Sequence, residues 1–311
     1  MNHLDQRSGS DNGKENDNGN AISRRGLMAS AAGSAAALTF GGTVRGQDAP
    51  AATPAPEGKA VSDGRLQQSV CKWCFKGMSV EELAQLCNKI GLKGIDLLGP
   101  DSFPILKKYN LVGTMTTTHG IEKGLNRKEN WEECLGKIRT AIDATSEAGF
   151  PNVICFSGNR GGMSDEQGLK NCAEALKQIV GHAEEKKVTI CMELLNSKQH
   201  KDYMCDHTAW GVELCKAVGA DRFKLLYDIY HMQIMEGDII ATIRKNKEYL
   251  AHYHTAGVPG RHELDENQEL QYPAIMRAIA DTGFKGYVAQ EFIPTGEPAM
   301  SLAEAARVCT V

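Results

Sequence analysis

The chain has no excess of positive charge: 35 lysines and arginines stand against 39 aspartates and glutamates, a net charge of −4. Proteins that grip nucleic acid normally carry a basic stripe or face, so that class of partner is not expected. Long apolar runs are missing too. The uncharged run Met28 to Thr43 is rich in alanine and glycine. It is shorter than the roughly 20 apolar residues a membrane helix requires, so no stable membrane anchoring is expected. Cysteine occurs ten times, yet only Cys71 and Cys74 form a C-x-x-C. A zinc ribbon would need a second such pair, so these two thiols are read as core or strand-end residues. A glycine-rich phosphate loop is also lacking: CKWCFKGMS follows the first apolar segment instead. That counts against a doubly wound, dinucleotide-binding sheet, the main alternative architecture.

What is present is an ordinary globular composition, 41% hydrophobic and 24% charged over 311 residues, long enough for one large domain with a buried core. Residues 1–22 are rich in Asn, Asp, Gly and Ser and offer little that could pack. Ser23-Arg24-Arg25-Gly26-Leu27 then precedes the uncharged run, an order that resembles a twin-arginine export signal. Residues 1–47 are therefore expected to be a signal region, cleaved near Gly46, that sends the protein to the periplasm or another extracytoplasmic space. Such substrates cross folded, so the cysteines are expected to stay as thiols. Residues 48–65 form an Ala/Pro-rich linker by composition. The folded domain is expected over 66–311.

Within that domain a pattern repeats. KIGLKGIDLL (Lys89 to Leu98) is echoed by DTGFKGYVAQ (Asp281 to Gln290) and, more loosely, by EAGFPNVICF (Glu147 to Phe156). In each, a glycine suits the left-handed residue that closes a helix, and a short apolar strand starts at once. Eight strand-like segments can be placed this way: Gln68–Trp73, Gly94–Leu98, Leu111–Thr116, Asn152–Phe156, Val188–Glu193, Phe223–Asp228, Leu250–His254 and Gly286–Glu291. Helical patterns lie between them, the first opened by a Ser79/Glu82 capping box. That alternation predicts a (β/α)8 TIM barrel.

Four of the later strands finish on groups that can hold a divalent metal: Glu193, Asp228, His254 and Glu291. They lie 35, 26 and 37 residues apart, close to one strand-helix unit each, and barrel closure brings such strand ends around one mouth. Two glutamates, an aspartate and a histidine are a mostly hard, oxygen-rich set, suited to Mn²⁺ or Mg²⁺ with Co²⁺ tolerated. His252, one pleat below His254, is read as packing or support for the metal-facing histidine. His231, three residues past a strand, and Arg261, in a Gly/Pro loop, are expected to contact substrate, with His119 adding a hydrogen bond. Asn159 and Arg160, in SGNRGG, are read as a surface turn in preference to an anion-binding loop.

The segments MELLN with Glu193, YDIYHMQ with Asp228 and His231, HTAGVPGRHE with His254, Arg261 and His262, and AQEF with Glu291 resemble the xylose isomerase-like barrel superfamily. Within it they look most like hydroxypyruvate isomerases, over about residues 66–295. The resemblance implies a metal-dependent isomerase in which Glu193 and Glu291 pass a proton between adjacent carbons through an enediolate, converting hydroxypyruvate to tartronate semialdehyde. Hydroxypyruvate isomerases often carry Gln at the position of His254, where ketose 3-epimerases have His, so ketose epimerisation is the alternative. Endonuclease-IV-like phosphoesterases and a non-catalytic sugar-binding barrel are further rivals within the superfamily. The partner implied is a small carbohydrate or hydroxy-carbonyl compound. Barrels of this type commonly pair, leaving a homo-oligomer as an open expectation.

Overall fold

The computed structural model describes residues 60–61 and 64–311. The expected signal region and most of the linker lie outside the described residues. Eight parallel strands run in sequence order around a closed barrel, the last pairing with the first. They are β1 (Gln67–Cys71), β2 (Gly94–Leu98), β3 (Val112–Thr116), β4 (Asn152–Cys155), β5 (Thr189–Glu193), β6 (Phe223–Asp228), β7 (Leu250–Thr255) and β8 (Tyr287–Gln290). Among the described residues ten helices wrap them: α1 (Val80–Ile90), α2 (Phe103–Lys108), α3 (Trp131–Ala148), α4 (Asp165–Lys177), α5 (Val180–Lys186), α6 (Thr208–Val218), α7 (Ile229–Met235), α8 (Ile239–Asn246), α9 (Tyr272–Asp281) and α10 (Pro298–Val308).

Local chemistry accounts for most of these boundaries. The Ser79 hydroxyl accepts the Glu82 N–H at 3.1 Å while the Glu82 carboxylate accepts the Ser79 N–H at 2.7 Å, so two of the unpaired N–H groups that open α1 are satisfied at once. Along α1, Leu83, Ala84, Cys87 and Ile90 are buried, the spacing of one face laid on the sheet. Gly91, with φ +96°, ends α1 in the left-handed region, and β2 starts three residues later. All ten cysteines are free and buried, so the thiols pack as small apolar groups.

Three sequence expectations need correction. The helical pattern between the fourth and fifth strands, expected as one helix over Asp165–Glu185, is two, because the backbone tightens to i→i−3 bonding at Gln178 and Ile179 before α5 begins. Trp73 and Glu291 leave their strands: Trp73 lies in a 3₁₀ turn after β1, and Glu291 is the first residue past β8. A further helix, α7, follows β6 with no intervening loop.

The barrel interior is polar beneath its mouth. Asp96 from β2 receives the Ser69 hydroxyl of β1 at 2.6 Å and the Thr114 hydroxyl of β3, and stands 2.6 Å from Nε2 of His252 on β7. Because β3 and β7 are opposite each other around the ring, side chains that share one carboxylate from both must point inward.

Candidate active site

Successive strands deliver the three acids and the histidine to one edge. Glu193 and Asp228 end β5 and β6, His254 is the penultimate residue of β7, and Glu291 follows β8; β6 and β7 pair Asp228 directly with His254. All four are buried, and one potential ligand atom from each lies within 4.8 Å of all the others. Nδ1 of His254 stands 3.3 Å from Glu193 Oε1 and 2.8 Å from Glu291 Oε2. Yet this nitrogen has no aligned hydrogen bond. Three carboxylates crowded around an imidazole nitrogen that is aimed among them without bonding to any fit the donor set of a hard divalent cation.

Their charges are unevenly matched. Burial pushes Glu193 upward against the pull of His254, and burial together with the Glu291 and Glu193 charges pushes Asp228 up to about 8 despite Arg261. For Glu291 burial acts upward as well, but Arg261 and His254 outweigh it and hold the group well below the usual carboxylate range. Hydrogen bonding follows the same asymmetry. Glu291 accepts from the Trp73 indole at 2.7 Å and from Arg261 Nη2 at 2.5 Å, whereas among the described residues the carboxylate of Glu193 meets only His254.

His254 is gripped from its other side. Its Nε2 lies 3.3 Å from Asp96 Oδ2 and 3.7 Å from the Cys71 sulfur. Burial alone would raise the pKa of Asp96, but His252 and His254 hold it far below the ordinary value. A carboxylate behind a metal-facing imidazole fixes which nitrogen is free for the metal. Cys71, Asp96 and His254 also bring potential ligand atoms within 4.8 Å. Asp96, however, is already occupied by Ser69, Thr114 and His252. The support expected from His252 is present, while Asp96, its partner, was not anticipated; the mark of it in the sequence is a lone acid inside the apolar strand GIDLL.

The sequence profile of the xylose isomerase-like TIM barrel family matches residues 67–309. The chain belongs to that family. Among relatives, it is 35% identical over 107 residues to a 2-oxo-tetronate isomerase of Cupriavidus necator, a match spanning 34% of this chain and 41% of that protein. It is 26% identical to a human protein named putative hydroxypyruvate isomerase, across 51% of this chain and 60% of the relative. The chain thus spans about half the length of these relatives. Three solved structures share the fold. An AP endonuclease, family 2, of Brucella melitensis has a TM-score of 0.70 at 23% identity, covering 78% of this chain and 98% of the other. The 3-keto-D-glucoside 4-epimerase of E. coli gives 0.68 at 18%, covering 78% and 100%. A zinc-bound IOLI protein gives 0.62 at 16%, covering 78% and 95%.

In this xylose isomerase-like barrel the remaining predicted residues border one cavity of about 420 Å³ at the strand ends. Arg261, at φ +62° in the loop after β7, folds back over the acids. Besides Glu291 Oε2 it meets Asp228 Oδ2 at 3.3 Å and the Glu291 carbonyl at 3.3 Å, and its guanidinium lies 5.1 Å from the Trp73 ring and 5.2 Å from that of Tyr230. His231 sits on α7, whose first turn is capped by Asp228 Oδ1 accepting the His231 N–H at 3.1 Å. Asp228 therefore faces the metal-ligand cluster and caps a helix at the same time. The His231 ring is buried: Nδ1 accepts the Asn196 N–H at 3.1 Å and Nε2 stands 3.1 Å from Arg261 Nη1. His119 borders the cavity from beyond β3, with Nδ1 3.0 Å from the Gly120 carbonyl and Nε2 accepting the Phe156 N–H at 3.4 Å. Arg160 is paired with Asp165 and Asp206 as a loop brace.

Proposed function

We propose that this protein is an isomerase that shifts a proton between adjacent carbons of a small α-hydroxy carbonyl compound, with Glu193 and Glu291 handling the proton. One observation carries the reading: two buried carboxylates, one at the end of β5 and one just past β8, converge on the same imidazole nitrogen, at 3.3 and 2.8 Å, beside a cavity. The names of the relatives, 2-oxo-tetronate isomerase and hydroxypyruvate isomerase, support the same chemistry. Hydroxypyruvate, giving tartronate semialdehyde, is the substrate the family resemblance suggests first.

The difficulty in such a reaction is twofold, since a weakly acidic C–H must be removed and an oxyanion develops on the neighbouring carbon. Glu193, with a single polar contact, is free to take the proton and return it. Glu291, held ionised by Arg261 and Trp73, is the complementary group on the other flank. Arg261, held by Glu291 and Asp228 and flanked by the Trp73 and Tyr230 rings, keeps a guanidinium beside the developing charge. Glu193, Asp228, His254 and Glu291 would hold a divalent ion, Mn²⁺ or Mg²⁺ with Co²⁺ tolerated; the zinc of the IOLI neighbour is in keeping with an ion in this fold. Bound there, it would supply Lewis-acid polarisation of the carbonyl and a template for the adjacent hydroxyl.

The test is solvent exchange. Protein loaded with Mn²⁺ is incubated in D₂O with hydroxypyruvate, 2-oxo-tetronate and a panel of ketoses, and deuterium at the carbon next to the carbonyl is followed by NMR. Exchange that Glu193→Gln abolishes supports the reading; no exchange with any compound under any of the three metals defeats it. Export in folded form is proposed from the sequence alone, and cell fractionation after replacing Arg24 and Arg25 with lysine tests it. Among the described residues no helix is long and apolar enough to cross a membrane.

A further inference from the structure

Behind His254, on the side away from Glu193 and Glu291, lies a second knot of polar groups drawn from other strands. Cys71 ends β1, Asp96 lies within β2, and His252 and His254 belong to β7; all four are fully buried. Cys71, Asp96 and His254 offer a sulfur, an oxygen and a nitrogen that lie within 4.8 Å of one another. Of the ten cysteines, Cys71 is the one whose sulfur meets a histidine. The nitrogen it meets is Nε2, whereas Nδ1 faces the glutamates, so the His254 imidazole turns one ring nitrogen to each cluster.

The spacing is that of ligands about an ion. Nε2 stands 3.7 Å from the Cys71 sulfur and 3.3 Å from Asp96 Oδ2. Charge-assisted N–H···O bonds close to about 2.7–2.9 Å, so the contact with Asp96 is loose for one. Around a tetrahedral Zn²⁺, with bonds of roughly 2.3 Å to sulfur, 2.0–2.1 Å to nitrogen and 2.0–2.2 Å to oxygen, the two corresponding edges are roughly 3.6 and 3.4 Å. The oxygen is available as well. The Ser69 and Thr114 hydroxyls that occupy Asp96 both bond to Oδ1, which leaves Oδ2 between two imidazoles. His252, the second of these, has Nε2 2.6 Å from Oδ2, yet neither of its buried ring nitrogens makes an aligned hydrogen bond. Buried polar groups are almost always matched, and an ion beside Oδ2 gives this one a partner.

We infer that Cys71, Asp96 and His254 form a second, inner cation site that takes Zn²⁺, with His252 the candidate for its fourth ligand. The two sites differ in chemistry. Three carboxylates and an imidazole suit Mn²⁺ or Mg²⁺, whereas a thiolate, an imidazole and one carboxylate suit a softer ion, so Zn²⁺ sorts inward. With the outer ion on Nδ1, the remaining ring proton of His254 is on Nε2. Entry of one Zn²⁺ therefore releases that proton and the Cys71 thiol proton to solvent, and His254 bridges the two ions as an imidazolate. The inner ion ties β1, β2 and β7 together from inside the barrel and fixes the ring that faces the outer site. The inference shares His254 with the outer site but does not rest on proton transfer there, so either can fail while the other holds.

The experiment takes the full chain, stripped with a chelator and then held in excess Mn²⁺ so that the outer site is filled. One equivalent of Zn²⁺ is added, unbound metal is removed by gel filtration, and the zinc is examined by X-ray absorption. Retention of one Zn²⁺ per chain, with a single sulfur neighbour at about 2.3 Å, is expected. Cys71→Ser should lose the sulfur neighbour and hold Zn²⁺ at least tenfold more weakly in competition with a chromophoric chelator, while Cys74→Ser keeps both. Co²⁺ in place of Zn²⁺ gives an independent readout, a thiolate-to-cobalt charge-transfer band in the near ultraviolet that wild type shows and Cys71→Ser lacks. Zn²⁺ that merely displaces Mn²⁺ and has no sulfur neighbour overturns the inference. So does a sulfur neighbour that survives Cys71→Ser, or failure of the Mn²⁺-filled chain to retain Zn²⁺ at all. Cys71→Ala replaces the serine variant if that one fails to fold, and a wild-type zinc spectrum without sulfur overturns the inference whatever the variants do.

Discussion

The strand ends β5 to β8 and the strand ends β2 to β4 form the two sides of one mouth, and they are built on opposite principles. On the first side nearly every side chain is charged, buried and tied to another: Glu291 to Trp73 and Arg261, His254 to Asp96, Asp228 to its own helix. On the second, Leu97, Ile154 and Phe156 present hydrocarbon, and the polar atoms nearby are satisfied within the protein. Reactive groups need fixed geometry and low dielectric, which a network supplies. A selecting surface needs only shape and the absence of partners for the wrong substrate. A barrel separates the two tasks because each strand contributes its end independently.

Four substitutions probe the charged half, and the largest effect belongs to Glu193. Glu193→Gln removes the carboxylate with the fewest internal partners, and kcat on any active substrate should fall by about 10²–10⁴, with circular dichroism and melting temperature close to wild type. Retained activity would break the division of labour between the halves outright. Asp96→Asn comes next. It strips the charge shared by His252 and His254, a buried pairing whose loss costs roughly 3–5 kcal/mol, and Mn²⁺ affinity should weaken by about 10–100-fold. Urea unfolding and metal titration read the two separately, and an unchanged Kd would mean that His254 is oriented without Asp96.

Trp73→Phe keeps an aromatic ring near Arg261 and deletes the indole donor to Glu291. The loss of one hydrogen bond to a charged group, about 1.5–3 kcal/mol, should appear in kcat/KM far more than in stability; equal losses in both would make Trp73 a packing residue. Glu263→Gln has the smallest effect. Burial acts to raise the pKa of Glu263, but N–H groups of Gly296 and Thr295 and the Thr295 hydroxyl hold it at about 2, from an ordinary value of 4.5. A depressed folded value means that this carboxylate stabilises the fold above the unfolded pKa and loses that contribution as pH falls from 4.5 toward 2. Wild type should therefore show an extra acid-sensitive step in that window which the variant lacks, and identical acid melts would show that the loop after β8 does not depend on it.

Much of the charged half was legible because it is written at strand ends. Glu193, Asp228 and His254 each stop an apolar run, and the intervals between them match strand-helix units, so local pattern and barrel topology suffice. The helix closing glycines and the Ser79/Glu82 box were readable for the same reason. Asp96 was not: its contact with His254 joins residues 158 positions apart, and nothing local says which buried acid meets which histidine. Helix α7 escaped because its start signal, Asp228, is the same residue that reads as a ligand. The apolar half escaped for a third reason, since Leu97 faces the cavity with φ +59°, a left-handed backbone that leucine rarely adopts.

Arg261 has a consequence for how the molecule is born. Three acids forced into one dry pocket would repel one another as the last strands dock, and a polypeptide relying wholly on a captured ion could not close until that ion arrived. Here a guanidinium carried on the chain itself, anchored between two aromatic rings, reaches the acids as soon as the segment after β7 folds over. That built-in cation offsets part of the repulsion among the acids from within the polypeptide.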